Sequence, residues 1–171
     1  YSKPQRKNRS GGWYASDNYP RRLERNADFQ EDLLNVKIYQ EELDTFQGKY
    51  IGMVVKVANL TKTKILFNAQ DSRIDMRVQA LDTSGQWRDI EVMFNSWCGN
   101  SYHRLELKPD YYWSFVTPVY EGDFETILRI QLEYIEPSKT YDYESCKKVK
   151  YVYSNEYPGS LNLSQFVIEK S

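Results

Sequence analysis

The sequence predicts an all-β protein: a two-sheet antiparallel sandwich with about seven to nine strands and an irregular N-terminal arm. Short segments alternate apolar with polar residues, turn-forming residues separate them, and there is hardly any helical periodicity. At 171 residues the chain fits one such domain with extensions.

Residues 1–25 form a basic arm in which seven Lys or Arg face only Asp17 and Glu24, so the nearly neutral whole carries its excess acid further on. Ser, Gly, Pro and Asn in this arm argue against regular structure, whereas Trp13, Tyr14 and Tyr19 argue for packing along the domain or a partner. Residues 26–47 are acidic, and a first strand at residues 35–40, favoured over a short helix by Val36, Ile38 and Tyr39, is expected within them. The division is therefore 1–47, arm and acidic connecting segment, and 48–171, sandwich with a C-terminal strand extension.

Ile51, Met53, Val55 and Val57 alternate onto one face, a turn follows from Asn59, and a second strand begins at Ile65. Ile74, Met76, Val78 and Ala80 oppose Asp75, Arg77 and Gln79, and a turn at residues 82–85 returns the chain from Trp87 as a hairpin. A second hairpin is expected between the strand starting near Tyr111 and the long alternation Thr126, Leu128, Ile130, Leu132 and Tyr134, bent at residues 121–123. A strand at residues 149–153, a turn at Pro158 and Gly159, and a terminal strand around residues 161–168 complete the pattern.

The formal net charge of −1 gives no nucleic-acid signature, and no apolar run approaches the roughly 20 residues that span a bilayer. A start at Tyr1 rather than Met is expected of a trimmed chain. Cys98 and Cys146 are in no CxxC pair, and one histidine with two separated cysteines supplies too few nitrogen or sulfur ligands for zinc. No metal, cofactor or catalytic residue is expected. A disulfide between Cys98 and Cys146 is weighed against two separate thiols. Asn8, Asn59 and Asn162 stand in glycosylation sequons, which matter only in a eukaryotic secretory protein.

Residues 96–113, SWCGNSYHRLELKPDYYW, gather Trp97, Cys98, His103 and Trp113. A Cys98–His103 nucleophile pair would need hydrogen-bond geometry that proximity in sequence does not supply, so His103 is read as a strand residue. Leu107, Pro109 and Tyr112 have the spacing of a sandwich corner: leucine ends the incoming strand in the core, proline sets the turn, and the tyrosine hydroxyl bonds back to the backbone.

With that motif, residues 48–136 resemble immunoglobulin-like and fibronectin-type-III-like sandwiches. They lack the cysteine two residues after the tyrosine, so the antibody-type disulfide between sheets is absent, and a Cys98–Cys146 link would be peripheral. The wealth of Tyr, Asn and Lys is similar in style to secreted or lipid-anchored accessory proteins of Bacteroidota envelopes. That resemblance implies an extracytoplasmic location, in the periplasm, at the outer membrane or on the cell surface.

The expected function is that of a non-catalytic accessory subunit of an envelope or outer-membrane assembly, docking on protein partners through Trp13, Tyr14, Tyr19 and aromatic loops, with Trp87, Trp97 and His103 as further candidate contacts to a partner or glycan. The alternative is a carbohydrate-binding module in which Trp87, Trp97 and the residue 111–113 cluster stack on sugars and nearby polar groups orient the hydroxyls.

Overall fold

The computed structural model describes residues 18–24, 28–93, 99–135 and 149–166. The expected disulfide and the expected contacts at Trp13, Tyr14 and Trp97 lie outside these residues.

Alternation organises the described chain into twelve strands: β1 (Arg21–Arg22), β2 (Leu34–Phe46), β3 (Tyr50–Asn59), β4 (Ile65–Gln70), β5 (Arg73–Ile74), β6 (Met76–Leu81), β7 (Trp87–Asp89), β8 (Tyr102–Leu107), β9 (Tyr111–Pro118), β10 (Phe124–Ile135), β11 (Val149–Tyr153) and β12 (Tyr157–Leu161). They form two antiparallel sheets. The smaller has the order β1-β9-β3-β2. In the larger, β10 pairs β6 on one side and β11 and β12 on the other, β6 also pairs β7, and β4 pairs β5, β8 and the end of β10. This is the expected all-β sandwich, an arrangement consistent with the immunoglobulin-like fold. Among the described residues no helix is long and apolar enough to cross a membrane.

Because side chains alternate across a strand, each sheet sends one parity inward. Val36, Ile38, Val55, Val57 and Trp113 from the smaller sheet meet Phe67, Val78, Leu128, Ile130 and Leu132 from the larger. Trp113 is buried and packs edge-on against Phe67 at 5.4 Å between ring centroids. Each such large side chain contributes roughly 1.5–3 kcal/mol through burial.

Three local expectations fail for physical reasons. β9 and β10 are not a hairpin: β9 pairs β3 and β10 pairs β6, so the chain crosses between sheets after Pro118. Pro158 and Gly159 do not turn the chain but lie inside β12, opposite Ile127 and Thr126. β12 pairs only β10, so this edge strand tolerates a proline, and a Cβ on Gly159 would come within 2.3 Å of Leu128 Cδ1. Beyond Leu161 the chain enters a 3₁₀ turn, Leu163–Gln165, rather than a terminal strand. On the N-terminal side, β2 is thirteen residues long and hydrogen-bonded to β3, so the sandwich includes residues before Gly48.

Asn59 occupies the next inward position of the Met53, Val55, Val57 series and is fully buried, whereas Ile51 at the other end of that alternation is exposed. Its Nδ2 donates to the carbonyls of Thr63 at 2.9 Å and Leu107 at 2.8 Å. Its Oδ1 accepts from the Thr61 N–H at 3.0 Å and the Thr61 hydroxyl at 2.7 Å, and its own carbonyl accepts from the Asp110 N–H at 2.8 Å. Two of the passages between the sheets, β3 to β4 and β8 to β9, are thereby tied to one side chain, whose amide nitrogen is inaccessible to a glycosylating enzyme in the folded chain. Tyr112 stands second in β9, half-buried, with Leu107 fully buried at the end of β8 and Pro109 in the turn. The Tyr112 hydroxyl has no hydrogen-bond partner among the described residues.

Asn59→Ala leaves the buried Leu107 carbonyl and the half-buried Thr61 N–H without their side-chain partner, so urea unfolding should show a loss of about 2 kcal/mol or more, whereas Tyr112→Phe should stay within about 0.5 kcal/mol of the parent. A larger loss for Tyr112→Phe than for Asn59→Ala would reassign the clasp.

Candidate partner-binding cleft

The outward face of the larger sheet is polar and aromatic. Arg129 of β10 lies 4.0 Å from the Trp87 ring centroid and 3.9 Å from that of Tyr153, and its Nε donates to Gln79 Oε1 at 3.0 Å. Gln79 in turn donates to Asp89 at 2.9 Å and Gln131 at 3.0 Å. Arg77 is held by Asp75 at 2.7 Å and Asp89 at 3.1 Å, which raises its pKa above the ordinary arginine value, chiefly through the Asp75 hydrogen bond. These side chains rigidify the face by bonding one another.

His103 is half-buried in β8, with Nδ1 3.1 Å from the Ser101 carbonyl and Nε2 3.5 Å from the Ser72 hydroxyl. Tyr19 is exposed beside β1, and Trp87 is half-buried on β7. The structure does not bring these three expected contact residues together.

The two lateral edges of the smaller sheet are finished differently. On β2, the Asn155 side chain imitates a peptide group: its Oδ1 accepts the Ile38 N–H at 2.8 Å and its Nδ2 donates to the Ile38 carbonyl at 3.2 Å. Asn155 reaches across from the elbow between β11 and β12, where the Ser154 hydroxyl accepts the Ile130 N–H at 2.8 Å, so the edge of β2 is covered at Ile38.

On β9, β1 pairs only with Tyr111 and Tyr112. Beyond that point the Ser114 carbonyl accepts Asn18 Nδ2 at 2.8 Å, while the Val119 N–H bonds Ile51 on the β3 side at 3.1 Å. Backbone groups of alternate residues point to opposite edges, so Ser114 and Val116 face away from β3. The N–H groups of both, and the Val116 carbonyl, have no hydrogen-bond partner among the described residues.

This edge borders a cleft of about 700 Å³. Its apolar wall includes Ile74, Met76, Phe115 and Ile130, and its rim carries Arg21, Arg73, Arg77 and Glu91. The volume is that of a ligand site, but the unpaired backbone suits an extended chain. Glu91 is engaged: its Oε2 accepts the Val78 N–H at 2.9 Å, and its Oε1 accepts the Tyr120 hydroxyl. Behind it, the buried Tyr157 hydroxyl has no partner among the described residues. Burial first, then the negative charge of Glu91, pushes the pKa of both Tyr120 and Tyr157 above the ordinary 10.0.

None of the cleft's key groups was a sequence-derived candidate. Open backbone positions have no signature in side-chain type, and Arg21, Arg73 and Glu91 read as ordinary solvated charges. Compared with known proteins, the chain matches no family model, no curated protein and no solved structure.

The raised tyrosine pKa values have a defined linkage. Below pH 10 the tyrosines are protonated in folded and unfolded chains alike and their stabilisation is complete. Above it the unfolded chain ionises first, so stability should fall as pH rises from about 10 to 12, and Tyr120→Phe combined with Tyr157→Phe should flatten that fall in denaturation curves measured across the range. An undiminished alkaline slope in the double variant would remove these tyrosines as its source.

Proposed function

We propose that this protein is a non-catalytic interaction module that binds a partner protein by accepting an extended segment along the open edge of β9. The observation that carries the reading is that the Ser114 and Val116 N–H groups and the Val116 carbonyl, bordering a cleft with an apolar wall, have no hydrogen-bond partner among the described residues. Main-chain pairing along such an edge supplies affinity, and alternate side chains of the added strand supply selectivity. Asn18 and Arg21 also line the cleft, so the described end of the N-terminal arm belongs to the same docking surface.

The role of accessory subunit in an extracytoplasmic, envelope-associated assembly completes the proposal, and its support is the compositional resemblance alone. The glycan reading has less support, because Arg129 stacks on the Trp87 ring that would otherwise receive a sugar.

Val116→Pro tests the module directly. Its N–H serves no bond among the described residues and the preceding residue is already extended, so proline should preserve the fold while removing a donor the added strand needs. Twelve-residue peptides selected on the parent protein from a random display library should lose at least about tenfold in affinity for the folded variant. Retained affinity would place their binding elsewhere.

A further inference from the structure

We infer that the segment taken up on β9 carries an aromatic anchor: one Phe, Tyr or Trp of a partner protein, whose ring enters between the two sheets beside Phe115. The inference rests on the strand-addition reading above and adds the chemistry of the occupant. A strand added to β9 extends the smaller sheet, so every second side chain of it faces the larger sheet, as Trp113 and Phe115 do.

Among the described residues the apolar core is unfinished at this place. Trp113 and Thr117, on the inward face of β9, are buried, yet Phe115 between them is only half-buried, and so is Met76 on the other sheet. Both line the cleft, together with Ile74 and Ile130. Behind Phe115 the rings already form a row of edge contacts, Phe67 to Trp113 at 5.4 Å and Trp113 to Phe115 at 6.4 Å between centroids. A further ring continues that row edge to face, and the Met76 thioether is a favourable neighbour for it. Aromatic anchors in desolvated pockets carry a large share of the energy of an interface.

In the register that β1 sets, the chain's own arm does not supply such a ring. Asn18 lines the cleft and donates to the Ser114 carbonyl, so what it brings is an amide. Counted on from the Arg21–Tyr112 pair, the next position of the same parity is Ser16, opposite Thr117, and the one after it, Tyr14, falls beyond Pro118, where β9 ends. A partner's strand continues the pairing that β1 begins without being tied to its register, and can therefore set an aromatic residue beside Phe115.

The test uses the full chain and the twelve-residue peptides selected on it from the random display library. They should share one Phe, Tyr or Trp, and changing that residue to Ala should weaken binding at least about tenfold by isothermal titration. The parent peptide should shift the methyl resonances of Met76 and Ile74 through its ring current, and the Ala form should leave them in place. Met76→Trp, which fills the cleft from its wall, should reduce the parent peptide to the affinity of its Ala form. Val116→Pro should weaken both forms alike.

Peptides that share no aromatic residue, or that lose less than about threefold on its change to Ala, while Val116→Pro still weakens them, would overturn the anchor and leave strand addition standing. Affinities that Val116→Pro leaves untouched would remove strand addition, and the anchor with it. Failure of every library peptide to bind at millimolar concentration would remove both. Sedimentation should show a monomer, and a dimer dissolved by Val116→Pro would make a second copy the occupant instead. A synthetic peptide of residues 10–19 that displaces the selected peptides at equal concentration would give that place to the arm of this chain.

Discussion

The fold depends on a single buried amide. Asn59 stands where the strand alternation requires an inward residue, yet it fills the position with hydrogen bonds rather than apolar surface. Burying an amide costs free energy unless each donor and acceptor finds a partner, and the turn at Thr61–Thr63, the end of β8 and the start of β9 provide those partners. The cost of leaving any of them unmade turns one side chain into a constraint on two crossings between sheets. Trp113 then enters the core two residues into β9, against Phe67.

From that anchor the position of β9 follows, and with it the character of the edge. β3 takes the inward-pointing backbone groups of β9 from end to end, while β1 takes only the first two positions of the outer side. The opposite edge is covered at one point, with Asn155 supplying both a donor and an acceptor to Ile38. Exposed strand edges are a hazard unless shortened, covered or charged. Here Pro118 ends the edge without an N–H, which bounds the stretch whose outer groups have no partner among the described residues.

Much of the sandwich was legible in the sequence because burial on one face writes a period of two. The alternations at Ile51 to Val57 and at Leu128 to Leu132 became long strands of opposite sheets. Pairing was not legible: consecutive alternating strands look alike whether they form a hairpin or cross between sheets, as β9 and β10 do. Gly159 reads as a turn residue but is required by Leu128 pressing on its backbone. The corner at Leu107 and Pro109 had a recognisable form, yet its hydrogen bonds come from Asn59, whose signal was a polar residue completing an apolar alternation. The cleft was beyond sequence reasoning because what marks it is backbone groups without a hydrogen-bond partner among the described residues.

Residue-resolved amide hydrogen exchange of the free protein tests the open edge most directly. The account predicts that Ser114 and Val116 exchange close to the rate of an unstructured chain while Phe115 and Thr117, bonded toward β3, are strongly protected. Uniform protection through all four residues would show the outer side of β9 to be paired, and would contradict the docking site.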